Sequence, residues 1–198
     1  LVGIDIEVAG AIAEKLGMKL ETTDIAFESI IPGVQAGKYD IGMAGVTVSE
    51  DRLQQVNFSD SYATGVQVVI VKEGGKVQSL DDMADAIIGT QSGTTGFIYA
   101  SEDFGDDHVK SFTKTTDAVE ALKNGQVDCV LLDNAPAEAL VDANPDAGLS
   151  ILETAYTVED YAIAINKENT DLQAKINAAL AELVADGTLQ SIIDKYIK

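Results

Sequence analysis

The stretch GVQAGKYDIGMAG, residues 33–45, is repeated in plan by EALKNGQVDCVLLD, residues 120–133. In both stretches the predicted end of a helix is followed by glycine, two further residues, aspartate and an apolar strand. Two copies of this plan favour two lobes, each an open α/β sheet, although unrelated strand–turn–helix units produce similar patterns. The paired positions are Gly37 with Gly125, Asp40 with Asp128, and Gly45 with Asp133.

Helix and strand patterns alternate along the rest of the chain. Apolar residues four apart predict a first helix over residues 4–16, with Asp5 as its cap, and alternation over residues 18–26 predicts a strand. Further strands are predicted over residues 39–48, 66–72, 86–93, 109–114, 127–133 and 161–167. Further helices are predicted over residues 27–37, 80–86, 94–103, 116–125, 135–144, 170–187 and 188–197.

This alternation predicts an α/β protein with mostly parallel sheets. In open sheets of this kind, ligands bind beyond the carboxyl ends of the strands. Gly45 and Asp133 both stand at such predicted ends, so we expect a ligand site near them.

The composition is strongly acidic. The 198 residues include 33 Asp and Glu against 13 Lys and Arg, a formal net charge of −20. Binding to phosphates needs clustered Lys and Arg, so this charge argues against a nucleic-acid partner. No apolar run approaches the roughly 18 residues of a membrane-spanning helix. The single cysteine, Cys129, cannot form an intrachain disulfide or a zinc site, and we expect it to be a buried strand residue.

Arg52, in AGVTVSEDR, is the only arginine of the chain. It follows the strand end at Gly45, and Thr47 adds a hydroxyl between the two. A guanidinium matches a carboxylate with two parallel hydrogen bonds, which indicates a role in binding an anionic group. The alternative is a surface arginine paired with Glu50 or Asp51, and such exposed pairs contribute little to stability.

The stretch GTQSGTTGFIYA, residues 89–100, takes a predicted strand through a Gly-rich turn into a helix. Free backbone amides at the start of a helix can bind an anion, here at Thr94 and Thr95. The stretch lacks the Gly-Lys-Ser/Thr ending of a Walker loop and the spacing of a dinucleotide-binding loop. An ordinary capped turn remains the alternative.

Asp133 ends the apolar run of VDCVLLD and can either cap the next helix or pair with a cationic ligand group. Arg52, Thr47 and the amides near residue 95 would bind an anion, so the whole set matches a zwitterion, of which an α-amino acid is the simplest. The sequence offers no Ser–His or Cys–His pair, no metal-ligand spacing and no cofactor loop. We therefore predict a binding protein without a cofactor or a metal, not an enzyme.

With these motifs the chain closely resembles the extracytoplasmic solute-binding proteins of polar amino-acid ABC transporters, bacterial family 3. The resemblance covers essentially the whole chain and implies the type II periplasmic binding fold. The motif of residues 27–62 is very specific to the family. The matching motifs are GIDIEVAGAIAEKLG, FESIIPGVQAGKYDIGMAGVTVSEDRLQQVNFSDSY, IGTQSGTTGFIYA, VDCVLLDNAPA, DYAIAINKEN and LAELVADGTLQSIIDKY.

The resemblance implies a role for each matching position. Arg52 would bind the α-carboxylate, helped by Thr47 and by the Thr95 amide. Asp133 would bind the α-ammonium, with the Gly45 carbonyl as a second acceptor. Positions that contact the ligand side chain in the family are matched by Phe27, Ala44, Gln91 and Thr94.

The resemblance also implies a division into lobes and a closing motion. Residues 1–66 and 163–198 would form lobe 1 and residues 67–162 lobe 2, with crossover strands near residues 66–71 and 161–165. A ligand that contacts both lobes would favour their closed arrangement.

Family members carry a first strand and a ligand-contacting loop ahead of the GIDIE helix, and the resemblance implies that both are absent from this chain. A basic ligand side chain would call for a further carboxylate, which that segment could supply. The remaining positions Ala44, Gln91 and Thr94 suit a polar neutral side chain, such as that of glutamine.

The implied role is that of a monomer that captures a free amino acid and delivers it to an ABC permease in the membrane. Its place would be extracytoplasmic, either the periplasm or the cell surface as a lipoprotein. Two alternatives share the fold, a sensor or receptor domain and a cyclohexadienyl dehydratase-like enzyme. The enzyme would need a general acid in the cleft, and Asp133 is the one candidate that the sequence offers.

Overall fold

A computed structural model describes residues 2–196, which contain eight α-helices and nine strands. The helices are α1 (Ile4–Lys15), α2 (Ile30–Gln35), α3 (Glu50–Leu53), α4 (Thr95–Phe104), α5 (Thr115–Lys123), α6 (Asn134–Asp142), α7 (Thr170–Ala185) and α8 (Thr188–Tyr196). The strands are β1 (Ile41–Gly42), β2 (Asn57–Phe58), β3 (Ala63–Lys72), β4 (Ile88–Gln91), β5 (Val109–Phe112), β6 (Cys129–Asp133), β7 (Leu149–Ile151), β8 (Thr157–Tyr161) and β9 (Ala164–Ile165).

The first of two compact units comprises residues 2–25, Ser29–Thr64 and residues 160–196. Its sheet has the order β1-β9-β2, and both strand pairs are antiparallel. Helices α1, α7 and α8 pack against one another and bury their apolar faces in one core, to which α1 contributes Val8 and α7 contributes Ile176. Apolar residues at helical spacing therefore build this unit as the sequence predicts.

The second unit comprises Ala26–Glu28 and Gly65–Glu159, and its sheet has the order β5-β4-β6-β3-β7, with β8 also paired to β3. Successive residues of a strand point to opposite faces, so Val69 and Ile70 pack into two different cores. Cys129 is fully buried in β6, as predicted. This burial raises the pKa of its thiol to about 12, which makes the thiol a packing group rather than a nucleophile.

The α/β class with two sheets is confirmed, but the expectation of mostly parallel strands is wrong. Strand β4 is parallel to β5 and β6, whereas β3 is antiparallel to β6 and β7. Helix α4 joins β4 to β5 and α5 joins β5 to β6, as parallel strands require. Alternation along the chain predicts such crossovers, but it does not show how strands from distant segments pair.

Residues 18–26 form no strand, although their alternation predicts one. A strand persists where a neighbour completes its hydrogen bonds, and the described chain pairs no strand with this segment. The strands predicted over residues 39–48 and 161–167 shorten to β1 and β9, and β2, β7 and β8 were not predicted. The last helix ends at Tyr196 in the described chain, and the predicted end at Ile197 lies outside it.

Gly42 in β1 is expected to tolerate no side chain. A methyl group there would overlap the Ile30 side chain and lie 3.2 Å from Cγ2 of Val34, both on α2. Overpacking of this kind costs about 1–3 kcal/mol, so Gly42→Ala should lower the free energy of unfolding by that amount. Equilibrium urea denaturation would measure the change.

Gly10 in α1 provides the matched control, because a methyl group there meets no atom within 4 Å. Gly10→Ala should raise the free energy of unfolding by about 0.5–1 kcal/mol, since glycine is costly within a helix. If Gly42→Ala proved as stable as the wild type, α2 would not pack against β1 at Gly42.

Candidate functional site

Arg52 lies in a short helix, α3, that begins where the loop after β1 ends. Ser49 caps this helix by accepting a hydrogen bond from the Arg52 amide, with 3.3 Å between N and Oγ. The guanidinium Nη1 donates to the Thr47 carbonyl at 2.7 Å, and Arg52 is only 6% exposed. The alternative of an exposed arginine on the surface is therefore wrong. A buried guanidinium fixed at one nitrogen is oriented before any ligand arrives.

Gly45 adopts a left-handed conformation with φ of +58°, which favours glycine at this position. Its amide donates to the Asp5 carboxylate at 3.1 Å, and Asp5 also accepts from the Tyr62 hydroxyl. Asp5 therefore orients the loop instead of capping α1, where Gly3 occupies the N-cap position. Burial, and then the charge of Asp5, raise the pKa of Tyr62 well above its usual value.

Thr47 is held against the segment that follows Glu159. It forms an isolated antiparallel bridge with Tyr161, and it is 5% exposed. The Val46 carbonyl accepts from the Ala162 amide at 3.1 Å, which continues this pairing. The predicted site residues of the first unit thus lie in one segment that backbone hydrogen bonds hold in place, and Ala44 is exposed within it.

The Gly-rich turn of the second unit ends at Thr94, the N-cap residue of α4. Its Oγ1 accepts from the Phe97 amide at 3.2 Å and donates to the Gln91 carbonyl at 2.8 Å. The first amides of a helix lie outside its own hydrogen-bond ladder, and here they belong to Thr95 and Gly96. The capped turn is real, and it also presents these amides, so anion binding at Thr95 stays a prediction.

Phe27 belongs to the second unit and lies beside the same turn. It begins a 3-10 turn, Phe27–Ser29, and is half-buried. A methyl group on Gly93, whose φ is +77°, would lie 3.0 Å from Cβ of Glu28, so the two segments touch. Nε2 of Gln91 donates to the Thr113 carbonyl at 2.9 Å. The other polar atom of this side-chain amide, Oε1, is a hydrogen-bond acceptor.

Asp133 ends β6 and stands at the N-cap position of α6, but its side chain makes no capping hydrogen bond. The alternative that Asp133 caps the helix is therefore wrong. Its Oδ1 accepts from Nε2 of Gln67 at 2.8 Å, and the same nitrogen donates to Oε2 of Glu159 at 3.0 Å. Gln67 is fully buried and Glu159 is 5% exposed, so one amide joins two carboxylates inside the second unit.

The structure brings the predicted residues together within each unit. Ala44, Gly45, Thr47 and Arg52 share the loop after β1 and the helix that ends it. Strands β4 and β6 are parallel neighbours, so Gln91 and Asp133 end at the same edge of the second sheet. The predicted site residues of the second unit are Phe27, Gln91, Thr94, Thr95 and Asp133.

Sequence reasoning missed Asp5, Gln67 and Glu159. Gln67 had a detectable signal, because it is a polar residue inside the apolar run VQVVIVK. Glu159 had none, since VEDY reads as an exposed acidic segment. Its burial follows from the pairing of β8 with β3, which local sequence does not show.

Two further features concern the described residues alone. Within residues 2–196, no group of three or more His, Cys, Asp or Glu side chains is placed to hold a metal ion. No helix in that range is long and apolar enough to cross a membrane.

The family of bacterial extracellular solute-binding proteins, family 3, matches residues 1–198. The chain belongs to this family. An ABC transporter arginine-binding protein 1 from Escherichia coli (strain K12) is 31% identical over 199 residues, which cover 99% of this chain and 82% of that protein.

Solved structures of an ancestral arginine-binding protein are similar to this family 3 protein throughout. The form bound to glutamine is 42% identical with a TM-score of 0.93, over 99% of this chain and 88% of that chain. The form bound to arginine is also 42% identical with a TM-score of 0.91, over 100% of this chain and 88% of that chain. The predicted type II periplasmic binding fold is confirmed, and so is the prediction of a binding protein rather than an enzyme.

Proposed function

We propose that this family 3 protein binds a free L-amino acid. The buried Arg52 guanidinium, oriented by the Thr47 carbonyl, carries the proposal, because it is a preformed partner for an α-carboxylate. The Thr47 hydroxyl and the amide of Thr95 add donors to the same group. Asp133, with the Gly45 carbonyl, binds the α-ammonium.

We propose a polar neutral side chain, such as that of glutamine, for the ligand. Ala44, Gln91 and Thr94 carry no charge, and Phe27 supplies an aromatic face for the aliphatic part of the ligand. The acceptor oxygen of Gln91 suits an N–H donor. An arginine side chain is the second candidate, because the relative from Escherichia coli is named for arginine and the ancestral protein was solved with either ligand.

We propose two lobes for the protein, with residues 1–66 and 163–198 in lobe 1 and residues 67–162 in lobe 2. The two compact units differ from this division at Ala26–Glu28, residues 65–66 and residues 160–162. The protein acts as a monomer outside the cytoplasm, in the periplasm or as a lipoprotein at the cell surface. It delivers the amino acid to the permease of an ABC transporter. Membership of an extracellular family and the likeness to a transporter protein support this role.

A thermal-shift screen of the twenty L-amino acids, followed by calorimetry of those that stabilise the protein, tests the proposal. A ligand at 100 times its dissociation constant adds about 2.7 kcal/mol to the free energy of unfolding. We expect this stabilisation with L-glutamine or L-arginine and none with the matching D-amino acid. Failure of all twenty to bind would contradict the proposed function.

A further inference from the structure

We propose that Gln67 is a positioning residue for the ammonium-binding carboxylate of Asp133, and that Glu159 fixes the orientation of Gln67. This inference rests on the proposed function. Gln67 lies in β3 directly opposite Asp133 in the strand register, and its side chain is completely buried. A glutamine costs free energy in a core unless its polar atoms are used, so a hydrogen-bonding role is expected.

The geometry defines that role. Nε2 of Gln67 donates to Oδ1 of Asp133 at 2.8 Å and to Oε2 of Glu159 at 3.0 Å. An ionised carboxylate only accepts hydrogen bonds, so the NH₂ end of the amide must face both acids. One bond to Glu159 holds the amide plane, and the other directs one oxygen of Asp133. Because the carboxylate group is planar, fixing one oxygen of Asp133 also restricts the position of its second oxygen.

The oxygen of the same amide lies against the start of α4. A methyl group on Gly96 would sit 2.9 Å from Oε1 of Gln67 and 3.2 Å from the Leu131 carbonyl oxygen. Gly96 directly follows Thr95, whose amide we assign to the α-carboxylate. Gln67 thus packs against both predicted ligand-binding elements of the second unit, the helix start and Asp133.

The charges require a neutral amide at this position. Glu159 is almost fully buried, and Asp133 is half-buried. A shared amide donor satisfies one oxygen of each acid and brings no positive charge that would compete with the ligand ammonium for Asp133. The amide therefore prepares Asp133 for the ligand, and preorganisation of this kind raises affinity.

The test compares two ligands by calorimetry on Gln67→Met. One is L-glutamine or L-arginine, whichever the wild type binds more tightly, and the other is its 2-hydroxy analogue, which lacks the ammonium. We expect about a tenfold loss of affinity for the amino acid, as when a hydrogen bond that orients a binding group is removed in other sites. For the analogue we expect less than about a twofold loss. A loss of stability alone would lower both affinities equally and leave their ratio unchanged.

Ser101→Ala is the matched control. Oγ of Ser101, in α4, is a buried polar atom without a hydrogen-bond partner among the described residues, as is Oε1 of Gln67. It should change neither affinity.

Two variants of Glu159 separate charge from orientation. Glu159→Gln keeps an acceptor for Gln67 and should retain affinity within about threefold, whereas Glu159→Leu removes the acceptor and should reproduce the loss seen in Gln67→Met.

An unchanged amino-acid affinity in Gln67→Met, or an equal loss for both ligands, would overturn the positioning role and leave the proposed function intact. Equal effects of the two Glu159 variants would overturn the part assigned to Glu159. A wild-type protein that binds neither amino acid would overturn the proposed function and this inference together.

Discussion

Arg52→Ala is expected to weaken amino-acid binding strongly while the fold survives. The guanidinium is buried and already oriented by its bond to the Thr47 carbonyl, so solvent would screen the contact proposed with a carboxylate only weakly. Truncating one partner of a buried charge pair costs about 2–5 kcal/mol, which is a loss of about 30-fold to several thousandfold in affinity. Calorimetry with L-glutamine and L-arginine would measure it.

Arg52→Lys tests whether the planar guanidinium matters or only its charge. Lysine keeps the charge but lacks the paired donors, so about a tenfold loss or more is expected. Lys19→Ala removes one positive charge from an exposed ion pair with Glu21 and should leave binding unchanged. Thermal unfolding of each variant would verify folding, and full affinity in a folded Arg52→Ala would disprove the carboxylate role.

Asp133→Asn is expected to lower the affinity for amino acids by about 100-fold. Asparagine is nearly isosteric and its oxygen can still accept from Gln67, but its NH₂ group would face the ligand ammonium as a second donor. The loss combines a missing charge-assisted hydrogen bond with a new unfavourable contact. Competition calorimetry with the 2-hydroxy analogue should show a much smaller loss, because a hydroxyl can also accept.

Asp142→Asn is the control for the change in net charge, because Asp142 ends the same helix, α6, and is exposed. It should bind as the wild type does. If Asp133→Asn weakened the binding of the amino acid and of its hydroxy analogue equally, Asp133 would not contact the ammonium. Its role would then be to support the second unit.

At the candidate site, local sequence patterns predicted a capped turn but not the surroundings of the side chains. The capped turn at Thr94 follows from residue types with strong preferences at such positions, so the sequence predicted it. The strand that was expected to end at Gly45 ends instead at Gly42. The alternatives for Arg52 and Asp133 could not be separated in the same way. Exposure and capping geometry depend on what packs against a residue. The surface interpretation of Arg52 and the capping interpretation of Asp133 both proved wrong.

The sequence by itself determined the helices, the α/β class and most of the residues that we assign to the ligand. Helical periodicity and turn chemistry are local, so they can be read without the rest of the chain. The tertiary structure alone decided the strand directions, the absence of a strand at residues 18–26 and the burial of Glu159. These features depend on pairing between segments far apart in sequence, and it is this pairing that places Glu159 and Asp133 on one amide of Gln67.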